Sequence, residues 1–121
     1  MLNFSEYHIH INQLIQAALK AADPETAVSN QIRLKNQTLT IANHQFDCTK
    51  GKIYLVSVGK ASQPMAQAAI DTLGDKLHRG IVIGKEKAVF PSNPAVTTFE
   101  ASHPVSDQRG VDATTAVSNL F

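Results

Sequence analysis

The sequence has no tryptophan and no Gly-Gly pair, one cysteine, and no long apolar run, and its 11 basic residues nearly cancel its 10 acidic ones. A single cysteine, Cys48, cannot close an internal disulfide, so a disulfide framework is excluded and a reducing compartment, the cytoplasm, is expected. No apolar stretch approaches the roughly 20 residues that a bilayer-spanning helix needs. Glu6 and His8 stand where a secretory signal would carry basic and then apolar residues. A net charge of +1 with no basic run gives no sustained field for phosphate backbones or acidic membranes, so neither nucleic acid nor a membrane is an expected partner. His8 and His10, two apart on a helix, point to different faces and have no third ligand nearby, so no metal site is read from them.

What is present is an ordinary globular composition, 43% apolar and 17% charged over 121 residues, enough for one domain. Ile11, Leu14, Ile15 and Ala18 recur at helical spacing between Ser5 and Ala22, with Ser5 as N-cap. Asp23-Pro24-Glu25 predicts a short second helix to about Asn30: a capping carboxylate, a proline in the first turn and an acid at the positive helix end. Thr38 to Ile41 alternates, Asn43-His44 reads as a turn and Phe46 follows, so a short hairpin or a pair of short extended pieces closes a lead-in over residues 1–50.

Residues 51–121 read as a βαβ core. Lys52 to Val58 is β-branched and aromatic, as a central strand covered on both faces would be. Met65, Ala66, Ala69, Ile70 and Leu73 then share a helical face ending at Gly74. Gly80 to Gly84 and Ala95 to Ala101 supply two more strands, with Pro91 and Pro94 in the loop between, and a mostly parallel sheet is the economical arrangement. Ser106 can cap a last helix lined by Ala113, Ala116, Val117 and Leu120, whose apolar face is still running at Phe121.

Two stretches carry chemistry. Ser57-Val58-Gly59-Lys60-Ala61-Ser62 joins a strand end, a small turn and a helix start, a junction that binds anions because the first helical N–H groups are free and Gly59 permits close approach. Lys60 adds a full positive charge. A P-loop would need glycine at Tyr54 and Ser or Thr at Ala61, and a dinucleotide fingerprint would fall on Ser57, Gly59 and Ser62, with Glu86 as the ribose-binding acid; only Gly59 matches. A tight turn with a solvated lysine explains the same residues equally well. In the second stretch, Glu100 to Asp107, His103 is a candidate general acid or base, held extended by Pro104, and Asp107 favours the next helix start. A hydrogen-bonded structural histidine remains the alternative.

The run Ala18 to Pro24, then Val56 to Ala61 with Met65-Ala66, then Gly80-Ile81-Val82, and finally Glu100-Ala101-Ser102-His103-Pro104-Val105-Ser106-Asp107 resembles, in order and spacing, the family of glycerate kinases that phosphorylate the 2-hydroxyl. Members of that family are often labelled hydroxypyruvate reductase. The resemblance covers nearly the whole chain but only the first part of the family's length. It implies a Rossmann-like three-layer α/β domain, the N-terminal part of a two-domain enzyme that moves phosphate from ATP to glycerate with a divalent metal, Mg2+. It implies Lys60 as the catalytic lysine, Gly59 and Ser62 as substrate-binding residues, and Ser57, His103 and Asp107 near the site. Ser57 and Ser102 replace glycines of the family and Ser106 a proline. The family's S-G-G-G-S segment would follow just after Phe121, so this chain is expected to be a truncated piece, to bind no ATP or Mg2+ alone, to be inactive alone, and to self-associate through an uncovered stripe of Ala116, Val117, Leu120 and Phe121. A reductase using NAD(P)H and a non-catalytic phosphosugar or anion-binding module are the alternatives.

Overall fold

The structure, a computed structural model, describes residues 4–87, 90 and 93–120. Two helices, α1 (Phe4–Ala21) and α2 (Pro24–Ser29), lead into a three-stranded meander of β1 (Ile32–Lys35), β2 (Thr38–Ile41) and β3 (His44–Asp47). Then come β4 (Ile53–Val58), α3 (Ser62–Leu73), β5 (Leu77–Gly84), β6 (Val96–Glu100) and α4 (Gln108–Ser118). The Asp23 carboxylate accepts the Thr26 N–H at 2.7 Å, so the capping chemistry read from Asp23-Pro24 does start α2.

The meander exceeds the expected hairpin by one strand. Ile32-Arg33-Leu34-Lys35 alternates and pairs antiparallel with β2, Leu34 opposite Leu39. Its two turns rest on Asn36 and Ala42, at φ 55° and 51°. His44, expected in the second turn, is instead the first residue of β3 and pairs with Ile41, because Ala42 supplies the reversal. Ser5, read as an N-cap, lies inside α1, which is already helical at Phe4.

The chain is α/β, with the parallel sheet in the order β4-β5-β6: Val56 lies opposite Ile81, and Ile81 opposite Thr97. Period-2 alternation divides β5 between two cores. Val82, 1% exposed, faces Ala66, Ile70 and Leu73 of α3, and this core continues through Leu77 and Phe90 to Leu39 of the meander. Ile81 and Ile83 face the other way, onto Ala113 and Leu120. Helix, sheet, helix is the three-layer arrangement.

The central strand is therefore β5, not β4. Val56 and Val58 of β4 are 41% and 65% exposed, because β4 is the edge of this sheet and its apolar run is only half covered. Met65, expected on the buried face of α3, is 40% exposed, and Ala68 takes its place in the interior. His78 lies in β5, its ring edge-on to Tyr54 at 5.3 Å. Pro91 lies outside the described residues.

The expected bare stripe on the last helix is also corrected. Leu120 is 8% exposed, and Ala116 and Val117 pack against the cluster it joins; Phe121 lies outside the described residues. Open apolar surface lies on α1 instead, where Ile11, Leu14 and Leu19 are 54%, 71% and 62% exposed. Among the described residues no helix is long and apolar enough to cross a membrane. Cys48 is half-buried against the meander core, a small packing residue.

The exchange of roles between β4 and β5 is testable by truncation. Val82→Ala should lower unfolding stability by about 2 kcal/mol through lost burial and a residual cavity. Val56→Ala should stay within about 0.5 kcal/mol, as surface substitutions do. Urea midpoints at unchanged slope measure both, and equal losses would count against β5 as the central strand.

Candidate functional site

The three parallel strands end on one side of the sheet, and the segments leaving them are stitched together. Gly59, at φ +115°, donates its N–H to the Ile83 carbonyl at 3.0 Å, carrying the ladder one residue beyond β4. No atom lies within 4 Å of where a Cβ on Gly59 would stand, so backbone conformation rather than space demands glycine there. The chain then turns at once: Ser62 N–H reaches the Gly59 carbonyl at 3.2 Å, and the Ser57 hydroxyl donates to the Ser62 carbonyl at 2.8 Å. On the next strand, a Cβ on Gly84 would stand 3.1 Å from Ser62 Oγ, so a side chain there would push against the start of α3. Ala101 N–H closes the third segment onto the Gly84 carbonyl at 2.9 Å.

This stitching forms a cleft of about 210 Å³ between Gly59-Lys60, Gly84-Lys85 and Ser102-His103, floored by Val58, Ile83 and Ala101. A second hollow of about 240 Å³ adjoins it, sharing Gly59, Lys60, Gly84 and Lys85 and adding Ser62, Gln63 and Glu86. The carboxyl ends of parallel strands are where open α/β sheets bind ligands. Two features make this end attractive to an anion. Lys60 and Lys85 are exposed, and neither is held in an ion pair among the described residues. In addition α3, whose N-cap is Ala61, has no side chain capping its first turn; the Ser62 N–H is taken by the Gly59 carbonyl and Pro64 has none, so the Gln63 N–H and the helix dipole are what this end offers an anion.

Of the residues singled out from sequence, Gly59, Lys60 and His103 meet on the first cleft and Ser62 lines the second. Ser57 stands behind them, and its hydroxyl is spent on the Ser62 carbonyl. Asp107 is not among the residues lining either hollow. It holds the N-cap position of α4, which Ser106 was expected to take, yet its side chain turns from the helix to Arg109, whose Nε–H it accepts at 2.8 Å. Arg109 also pairs with Glu100, so the two acids share one guanidinium. The hydrogen bond from Arg109 holds the Asp107 carboxyl below its ordinary value of 3.8, and the same bond raises Arg109. Lys85 was missed from sequence. Its signal was available, since Gly-Lys occurs at the end of β4 and again at the end of β5.

Residues 10–121 match the family described as a domain of unknown function, DUF4147. Over 99 residues the chain is 31% identical to a glycerate 2-kinase of Pyrococcus horikoshii, covering 82% of this chain and 22% of that protein. Over 108 residues it is 29% identical to a D-glycerate 2-kinase of Thermotoga maritima, covering 89% and 23%. A crystal structure of a Pyrococcus horikoshii OT3 protein superposes with a TM-score of 0.71 at 25% identity, covering all of this chain and 27% of that one. The chain thus spans about a quarter of the length of the relatives it matches.

The Asp107–Arg109 pair predicts a pH dependence. Because the folded pKa of Asp107 lies below 3.8, its ionised form stabilises the fold above that value, and this contribution fades as pH falls through the folded pKa. Asp107→Asn should therefore lower the melting temperature at pH 7 and lower it progressively less as the pH falls below 3.8. A drop that stays the same across that range would remove the ion pair from the account.

Proposed function

The chain belongs to the DUF4147 family and, with glycerate 2-kinases as its relatives, to the glycerate kinase family; from that premise we propose that it carries one wall of a site where phosphate passes from ATP to the 2-hydroxyl of glycerate. The observation behind this reading is the convergence of Gly59, Lys60 and His103, from two separate segments, on one cleft at the ends of three parallel strands. Phosphoryl transfer asks little covalent chemistry of a protein; it asks for position and for positive charge where negative charge gathers.

In this reading Gly59 lets the ligand approach the backbone and Lys60 neutralises either the glycerate carboxylate or the transferring group. His103, exposed at the cleft rim, accepts the proton that the 2-hydroxyl loses as its oxygen bonds to the γ-phosphorus and the bond from that phosphorus to ADP breaks. Ser62 sets its Oγ over Gly84, where a Cβ would stand 3.1 Å from it. ATP brings the phosphoryl group, and the described residues offer it cations but no glycine-rich cradle. Among them no three His, Cys, Asp or Glu side chains gather to hold a metal ion. Nucleotide and metal are assigned to the larger remainder of the length that the relatives possess. The single half-buried Cys48 supports a reducing compartment, the cytoplasm, for this chemistry.

The reductase reading has weaker support. A dinucleotide fingerprint needs glycines where Ser57 and Ser62 stand, and these two serines are bonded to one another across the turn that a pyrophosphate would approach.

Lys60→Met tests the assignment in a protein of the relatives' full length that carries these residues. The expected loss in kcat/KM for glycerate is roughly 10²-fold, about 3 kcal/mol. Unfolding stability should move by less than about 0.5 kcal/mol, because an exposed lysine at a turn contributes little. Near-normal kinetics would return Lys60 to a solvated surface charge. The 121-residue chain by itself should release no ADP from ATP and glycerate in a coupled assay, since one wall does not orient both reactants; turnover by this chain would overturn the one-wall reading.

A further inference from the structure

The two adjoining hollows differ in character. The first has an apolar floor of Val58, Ile83 and Ala101 with Ser102 and His103 at its rim, suited to a short carbon skeleton and a carboxylate. The second opens on Ser62 and Gln63, the uncapped first turn of α3, suited to a more highly charged anion. Lys60 and Lys85 line both, so they stand where the hollows meet. Each lysine follows a glycine that keeps the backbone low: Gly59 through its φ of +115°, Gly84 through its contact with Ser62. The strand pairing fixes the two Gly-Lys units side by side, Val58 opposite Ile83.

The geometry points to Lys85 as a second ligand-binding cation, one that selects for a phosphorylated hydroxy acid over its unphosphorylated form. The phosphoryl group sits in the hollow at the start of α3, beside Lys85 and the Gln63 N–H, the one N–H of the first turn that no carbonyl takes. The carboxylate end stays in the strand-end cleft beside Ser102 and His103, and Lys60 serves both. Glu86 also lines the α3 hollow, so the two lysines there offset one carboxylate. This inference rests on the anion-binding reading of the cleft and adds to it which cation reads which part of the ligand.

The test is an NMR titration of the ¹⁵N-labelled 121-residue chain with 2-phosphoglycerate, glycerate and inorganic phosphate in turn. Wild-type chain should show shifts at the Gly59, Gln63, Lys85 and Ser102 amides with 2-phosphoglycerate, and at Gln63 and Lys85 with phosphate. Lys85→Gln should weaken 2-phosphoglycerate and phosphate about tenfold, as loss of one charge-assisted contact does, and change glycerate less than about twofold. Lys85→Arg should restore most of the affinity. Lys60→Gln should weaken all three probes, and Lys87→Gln, altering a lysine that lines neither hollow, should weaken none. An effect of Lys60→Gln without one of Lys85→Gln overturns this proposal and leaves the site reading standing. Shifts absent with every probe overturn both. A loss with Lys87→Gln as large as with Lys85→Gln overturns it as well, by reducing the effect to overall charge.

Discussion

The hydrogen bond from the Gly59 N–H to the Ile83 carbonyl is the constraint on which the arrangement of this end of the molecule depends. A parallel ladder normally ends with its strands, and the departing loops are then free to diverge. Here the bond holds the first loop against β5 for one more residue, and Gly59 is the residue type that can make it at φ +115°. Lys60 is thereby set beside Gly84-Lys85, and the start of α3 is pulled down over Gly84. The bond between Ala101 and Gly84 does the same for the third segment. Three loops that are remote in sequence share one floor because two ladder bonds, one on each side of β5, fix their departure.

Charge is arranged to the same end. With a net charge of only +1, a basic cleft requires that acids be occupied elsewhere. Glu100 and Asp107, the acids of the segment carrying His103, are both turned to Arg109. Asp47, at the far end of the meander, is taken up by the Thr49 hydroxyl and N–H at 2.6 and 2.9 Å. Lys60 and Lys85 keep their charge for whatever enters from solvent, and Glu86 alone among the acids lines the hollows.

Residue pattern disclosed the second half of the chain better than the first. The change of period at Gly59, from a β-branched run to Ala66, Ile70 and Leu73, located β4, α3 and the junction between them, and that junction is where the cleft lies. Pattern failed where coverage decides. The apolar run of β4 looked central, but rank within a sheet is set by which strands flank it, and it is β5 that is buried on both faces from Gly80 to Ile83. Four residues, Ile32 to Lys35, are too short a stretch for alternation to stand out without the partner strand beside it. Ser106 looked like the cap on local chemistry, but Asp107 takes that position, and Arg109, two residues on, decides how its carboxylate is used. Lys85 passed unnoticed because its significance comes from pairing with Gly59-Lys60 across the sheet, 25 positions away in the chain.

The uncovered face of α1 bears on how the molecule breathes. Opening β5 exposes Val82, Ile81 and Ile83 together with both layers packed on them, so its amide protons exchange only when most of the structure comes apart. For α1, unwinding exposes little that was not already wet, since Leu14 and Leu19 are 71% and 62% exposed when it is folded. An 18-residue helix held mainly by its own backbone bonds sits near the helix–coil balance point. Hydrogen exchange in α1 thus runs ahead of the sheet by the whole free energy of the α/β core, and any surface that covers this helix slows its exchange in proportion to how tightly it binds.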